Sequence, residues 1–268
     1  VFEINKKKHK MTSRSIHMRR EVIIMVGLLT WKTPQKGRKR LELEESSVLR
    51  MRFLEASMAV STHPSVMRRR ILWAGKRLRK AGVVQVVPPA DFAHGELLEK
   101  SGLRPVSTLA LRRSISADWV RSGLEGKKLS VSGSRVAVAA GVLTGEVVRT
   151  VTELCLRHRY VLLDLPYGGE ELCRQLRREY GVSLLLGPSK DQLEGAEALV
   201  LFDRRLDLSM RNPVLLRLYD DTAPLPRLTL PPESEAELPE GLDRGRLLAA
   251  LREAGAIRRE QISVSPGP

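Results

Sequence analysis

The thirty residues from Arg135 to Asp164 constrain this chain more than any other stretch. Val136 and Val138, with alanines between and after them, form an apolar run without a polar interruption. Such a run suits a strand buried on both faces. Gly141 and Gly145 bracket a turn, and Thr144 stands where an N-cap hydroxyl can accept from a free amide of the next helix. Val147, Val148, Val151 and Leu154 then recur at helical spacing on one face. Arg157, His158 and Arg159 close that helix where cations suit the negative end of its dipole. Tyr160 to Leu163 make a second apolar run, which ends in Asp164. A crossover helix of this length joins parallel strands, almost always with right-handed sense.

This unit resembles the first strand–helix–strand of a Rossmann dinucleotide-binding domain. The resemblance implies a glycine turn through which the backbone approaches a pyrophosphate at the helix N-terminus. It also implies that the acid ending the second strand holds ribose hydroxyls, which favours NAD over NADP. On that resemblance, Gly141, Thr144, Gly145 and Asp164 are the expected cofactor-binding residues, with NAD(P) as cofactor. The family pattern G-x-G-x-x-G is here A-A-G-V-L-T-G, from Ala139 to Gly145. Ala139 stands where an early glycine belongs, and no third glycine is in register. A doubly wound sheet whose turn binds nothing is the competing reading.

The α/β rhythm continues past Asp164. Gly168 and Gly169 lead into a helix over Glu170 to Tyr180, stopped by Gly181. Strands are expected over 182–186 and 196–202, with a helical turn near 189–193 between them. Weaker strand patterns follow at 215–219 and 225–230, then a loop over 231–239 and an amphipathic helix over 242–254. The expected fold is α/β: a doubly wound, mostly parallel, Rossmann-like sheet over residues 130–258. A smaller basic α/β lobe over 21–125 precedes it. Residues 1–20 read as a basic disordered leader and 259–268 as a flexible tail. Within the N-terminal lobe, 21–29 reads as a strand and 30–47 as a loop. Residues 48–54 read as a strand pairing antiparallel with the first. Helices are expected at 67–81, 94–100 and 106–124, and a strand at 83–87.

Charge divides the chain unevenly. Residues 1–80 hold 21 Lys and Arg against 6 Asp and Glu, whereas residues 81–268 hold 25 against 25. The whole formal excess of +15 therefore lies in the first third. Such asymmetry points to an anionic partner, nucleic acid above all, or to a basic tail. On the helix 67–81, Met67, Ile71, Ala74 and Leu78 form the inward stripe, and every cation lies off it. Trp73 also lies off the stripe, between Arg69 and Arg77. Arg68, Arg69, Trp73, Lys76, Arg77 and Lys80 are accordingly the expected anion contacts. A solvated outer face that serves solubility is the alternative.

Other classes find no support. Cys155 and Cys173 have no neighbouring cysteine or histidine pair at metal spacing, so no metal site is expected, and free buried thiols suit the cytoplasm. No apolar run approaches the length of a membrane span, and no apolar segment follows the basic N-terminus to make a secretory signal. Nucleophile-elbow, P-loop and zinc-protease motifs are missing. Asp91 and His94 sit three apart after a predicted strand, as an acid–base pair or as caps of the next helix. Two functions remain: a nucleotide-binding, NAD(P)-dependent enzyme, or a non-catalytic module that binds nucleic acid through its basic third.

Overall fold

The computed structural model describes residues 26–33 and 41–266. The basic leader and the first residues of the strand expected at 21–29 lie outside the described residues. The chain builds two five-stranded sheets in succession.

The first sheet has β1 (Val26–Lys32), β2 (Leu41–Val48), β3 (Met51–Ala59), β4 (Gln85–Val87) and β5 (Arg104–Pro105), in the spatial order β2-β3-β1-β4-β5. β1 runs parallel to β3 and β4. This corrects the expectation that the strand after the 30–47 loop pairs antiparallel with the first. Much of that supposed loop is β2 instead, and β2 forms the antiparallel hairpin with β3. Its polar sequence LELEESSV hides an edge strand whose middle faces solvent. Leu49 and Arg50 at the tip of the hairpin both have positive φ, 46° and 67°.

Helices cover both faces of this sheet. α1 (Pro64–Lys80) and α2 (Gly95–Lys100) lie on one side, where Ile71, Ala74 and Leu78 meet Leu29, Met58 and Val86. Gly75 lets α1 approach closely, since a Cβ there would sit 2.6 Å from the Ser101 side chain. The other side is covered by α3 (Leu109–Ser114) and by α9 (Arg244–Glu253), whose Leu247, Leu248 and Leu251 pack with Leu28, Phe53 and Val87. The C-terminal helix thus returns to the sheet with which the chain began.

Between them lie α4 (Ser116–Gly126) and the second sheet. Its strands are β6 (Arg135–Ala139), β7 (Tyr160–Asp164), β8 (Leu185–Leu186), β9 (Ala198–Leu201) and β10 (Val214–Arg217). The order is β10-β9-β6-β7-β8, and every pairing is parallel. With β6 as the first strand this is 3-2-1-4-5 read from the far edge, the doubly wound Rossmann order. α5 (Gly145–Arg157) and α6 (Gly169–Tyr180) join α4 on one face. The strands alternate accordingly: Val136 and Val138 meet these helices, while Ala137 and Ala139 face the other side. That side is covered more thinly, by α7 (Lys190–Glu194) and by Leu208 from the loop after β9.

After β10 the chain forms β11 (Arg227–Thr229), within the weaker strand pattern at 225–230, and then α8 (Pro232–Ala236), within the stretch expected to be a loop. Following α9 and a 3-10 turn, β12 (Ser263–Ser265) pairs antiparallel with β11. The expected free tail is therefore tied down as far as Ser265. Asp221 fastens the two halves. It accepts from the Thr108 amide and hydroxyl at 2.6 Å and pairs with Arg246 of α9 at 3.0 Å.

Candidate functional site

In an open α/β sheet, ligands gather at the carboxyl ends of the strands where the winding reverses. Here that point lies between β6 and β9, so the loops after those strands and after β7 define the candidate site. Gly141 follows β6 directly. The parallel register sets Ala139 beside Asp164 and beside Leu201, which brings the three loops to one edge.

Thr144 caps α5 as its position implied, accepting from the Val147 amide at 3.3 Å. Its hydroxyl is thus engaged in the helix. Gly145 opens the helix with nothing within 4 Å of a built Cβ, so no protein neighbour requires a glycine there. Gly141 and Gly145 both lack positive φ; the left-handed glycine of this edge is Gly168, at 82°. A Cβ on Gly168 would come 2.8 Å from Leu143 Cδ2, so this glycine lets the turn after β7 pack on the turn after β6.

The two groups with most reason to meet a ligand are occupied by the protein itself. The Gly141 amide donates to Asp203 Oδ2 at 2.7 Å. The Asp164 carboxylate is paired with the Arg205 guanidinium. Asp203 and Arg205 belong to the same loop after β9. Arg205 also binds Asp207 through two hydrogen bonds of 2.8 Å each. Those bonds, to Asp207 first and Asp164 second, hold the Arg205 guanidinium above its ordinary pKa, and they pull the exposed Asp207 carboxyl down to about 2. Farther along, the loop is anchored on α7: Leu208 is buried, the Ser209 amide donates to Glu194 at 2.7 Å, and Asn212 donates to the Leu193 carbonyl at 2.9 Å. The anchored part is rigidly placed, and the part carrying Asp203 and Arg205 bridges from β9 to it.

This edge exposes three large apolar residues beside the charged Asp203, Arg204 and Asp207. Tyr167 after β7 is 85% exposed, Leu206 after β9 is 83% and Val142 after β6 is 69%. An exposed apolar residue alone means little, but one on each of three adjoining loops marks a surface suited to a partner or ligand. Glu146, in the first turn of α5, is paired with Arg113 of α3 at 2.8 Å.

The second set of expected contacts lies elsewhere, on α1 and the first sheet. Arg68, Arg69, Lys76, Arg77 and Lys80 are exposed, as is Trp73. The pair singled out after β4 does not form an acid–base couple. Asp91 accepts from the Trp31 indole at 2.8 Å, while His94 meets the Phe92 ring edge-on. Neither side chain caps α2. Cys155 is buried in the core of the second sheet, which pushes its thiol up to about 12 and makes it a poor nucleophile. Among the described residues no group of three His, Cys, Asp or Glu converges to hold a metal ion, and no helix is long and apolar enough to cross a membrane.

Asp203 was visible in the sequence only as an acid after a strand. No local pattern marks Arg205, which returns to the end of a neighbouring strand.

No family model matches the chain, and no curated protein matches it. Among solved structures it is similar to a probable ornithine cyclodeaminase from Bordetella pertussis Tohama I, at 16% identity and TM-score 0.26, over 38% of this chain and 32% of that one. It is also similar to an L-tryptophan dehydrogenase from Nostoc punctiforme, at 10% identity and TM-score 0.27, over 56% and 44% of the two chains. A shikimate 5-dehydrogenase from Listeria monocytogenes, solved with shikimate and NAD, matches at 9% identity and TM-score 0.26, over 74% and 72%. The chain spans less than half the length of the first two. At these identities and TM-scores the likeness assigns this chain no activity, substrate or ligand.

Proposed function

We propose that the second half of the molecule binds a nucleotide of the NAD type at the carboxyl edge of its parallel sheet. The loop after β9 holds this site shut when no ligand is present. One observation supports the reading: the Gly141 amide and Asp164, to which it assigns a pyrophosphate and a ribose, are both engaged by side chains of that one loop. Asp203 is an anion on the amide that a pyrophosphate would take, so a phosphate oxygen replaces it like for like. Arg205 neutralises Asp164 until ribose hydroxyls replace the guanidinium. Once freed, it is positioned to meet phosphate charge. The exposed Tyr167, Val142 and Leu206 offer apolar cover for a base or a nicotinamide ring.

Such a latch costs affinity. A ligand binds only the fraction of molecules in which the loop has released, so its apparent dissociation constant rises by the inverse of that fraction. The proposed reading therefore includes weaker binding than a turn left open would give. Chemistry on a second substrate would need an acid or base at this edge, and no such group is assigned.

Thermal-shift measurements with NAD, NADP, ATP and S-adenosylmethionine at millimolar concentration test the reading. NAD should raise the melting temperature of the natural chain, and Gly141→Val should abolish that rise by filling the approach to the backbone. An unchanged melting temperature with all four ligands, in the natural chain and in an Asp203→Asn variant alike, would reject it.

A further inference from the structure

The flank of α1 that faces away from the sheet carries its own chemistry. Met67, Ile71, Ala74, Gly75 and Leu78 are buried, which fixes the helix's rotation. Seven cations and no acid occur in its seventeen residues. Among the described residues, Arg68, Arg69, Lys76 and Lys80 have no carboxylate within ion-pair distance. Arg70 differs, donating to the carbonyls of Ala59 and Val60 at the end of β3. A patch of unpaired like charges on one face repels itself, and a polyanion relieves that repulsion by releasing its own counterions.

Trp73 sets this flank apart from an ordinary solvated face. It is 45% exposed, at the middle of the cationic strip. The Arg77 guanidinium lies over its ring, 5.0 Å from the centroid. Arg69 and Lys76 precede and follow it by about one helical turn, at the spacings that make neighbours on a helix surface. A groove of about 570 Å³ runs beside it, lined among the described residues by Ser65, Leu72 and Trp73 between Arg68, Arg69 and Lys76. Arg77 covers part of the indole, and the 45% left exposed is free to stack on a partner's ring. An unpaired nucleobase offers a π-face to the indole while its phosphates meet the flanking cations. A duplex keeps its bases stacked inside and has only its backbone to offer to such a surface.

We propose that the outer flank of α1 is a docking strip for single-stranded nucleic acid, read through its backbone charge and base stacking rather than through its sequence. The strip is separate from the nucleotide site proposed above and does not depend on it.

The test uses the full chain and a fluorescein-labelled 20-nucleotide oligo-dT, with binding read by anisotropy at 50 and 200 mM NaCl. Each phosphate neutralised contributes about −0.7 to the slope of log K against log salt for a single strand, so five contacts weaken binding roughly a hundredfold over that range. Trp73→Ala should weaken binding about tenfold at both salts with the slope unchanged, the signature of lost stacking. Arg69→Ala with Lys76→Ala should lower the slope by about 1.4, the signature of two lost phosphate contacts. These side chains are exposed, so circular dichroism and melting should match the natural chain in each variant. Four results would overturn the proposal: no binding at 50 mM salt, equal binding by all variants, equal affinity for a duplex of the same length, or equally effective competition by polyglutamate.

Discussion

Asp203 covers the Gly141 amide and Arg205 covers Asp164, whereas Arg69, Lys76 and Lys80 on α1 face solvent with no acid paired to them among the described residues. Both regions are candidates for binding phosphate-bearing ligands, and the folded chain treats them in opposite ways. The reason is the cost of leaving each group alone. A carboxylate with only 29% of its side chain exposed loses part of its hydration on folding and gains from a partner, and the exposed Gly141 amide takes the acceptor that the same loop brings beside it. Long cations on an outer helix flank keep their water and lose little by staying unpaired. The half-buried Asp164 and Arg205 therefore close on each other, while the solvated cations of α1 stay open.

The largest effects should separate the two faces of α1 itself. Leu78 is fully buried, so Leu78→Ala should cost about 2–5 kcal/mol in urea unfolding. Lys76→Ala, two residues earlier on the open flank, should stay within about 0.5 kcal/mol. A large loss from Lys76→Ala would mean that the flank packs against something and is not free for a partner.

At the closed edge two adjacent residues, where the glycine turn enters α5, should part in sign. Thr144→Ala removes a helix cap and should cost about 1 kcal/mol. Gly145→Ala should be neutral or stabilise by about 0.4–1 kcal/mol, because it mainly restricts the unfolded chain and its Cβ meets nothing. Thermal melts of the two variants side by side would check both signs. If Gly145→Ala also weakens nucleotide binding, the glycine is present for a ligand rather than for the fold.

These particulars show how far the sequence could be read. The strand–helix–strand from Arg135 to Asp164 was legible because its apolar spacing and its Thr144 cap are local, and the parallel pairing of β6 with β7 followed from the length of the crossover. The helix expected at 242–254 was legible too, but nothing in its pattern says that it packs on the first sheet. β2 was not legible, since an edge strand facing water on much of its surface carries no apolar alternation. Of the candidate site, Gly141 and Asp164 were found from their order along the chain. The loop that closes on them was not, because its contacts span 62 residues for Gly141 with Asp203 and 41 for Asp164 with Arg205. Trp73 was marked by its wheel position, and its exposure follows from the same geometry.

The smallest effect lies at the opposite, amino-terminal edge of the second sheet, which should be purely structural. His158 is buried just before β7 and donates from Nδ1 to the Val131 carbonyl at 2.6 Å, while its Nε2 has no partner among the described residues. Burial lowers its pKa from 6.5. The folded state thus holds a neutral imidazole that the unfolded chain protonates more readily. Stability should fall as the pH drops below about 6.5 and should level off once the folded form also takes up the proton. His158→Asn keeps a donor for Val131 and should flatten this segment of a stability–pH curve measured from 7.5 to 5. A curve of unchanged slope would place the titration on another group.

The central claim is that the carboxyl edge of the second sheet is a nucleotide site occupied by its own loop. Isothermal titration of NAD into the natural chain and into Asp203→Asn tests it most directly. Asn keeps an oxygen for the Gly141 amide but removes the charge that competes with a phosphate, and a charge-assisted hydrogen bond exceeds a neutral one by about 1 kcal/mol, so the variant should bind NAD about fivefold more tightly. Equal affinity in the two proteins, or weaker binding by the variant, would contradict the claim and leave Asp203 as a fixed part of the fold.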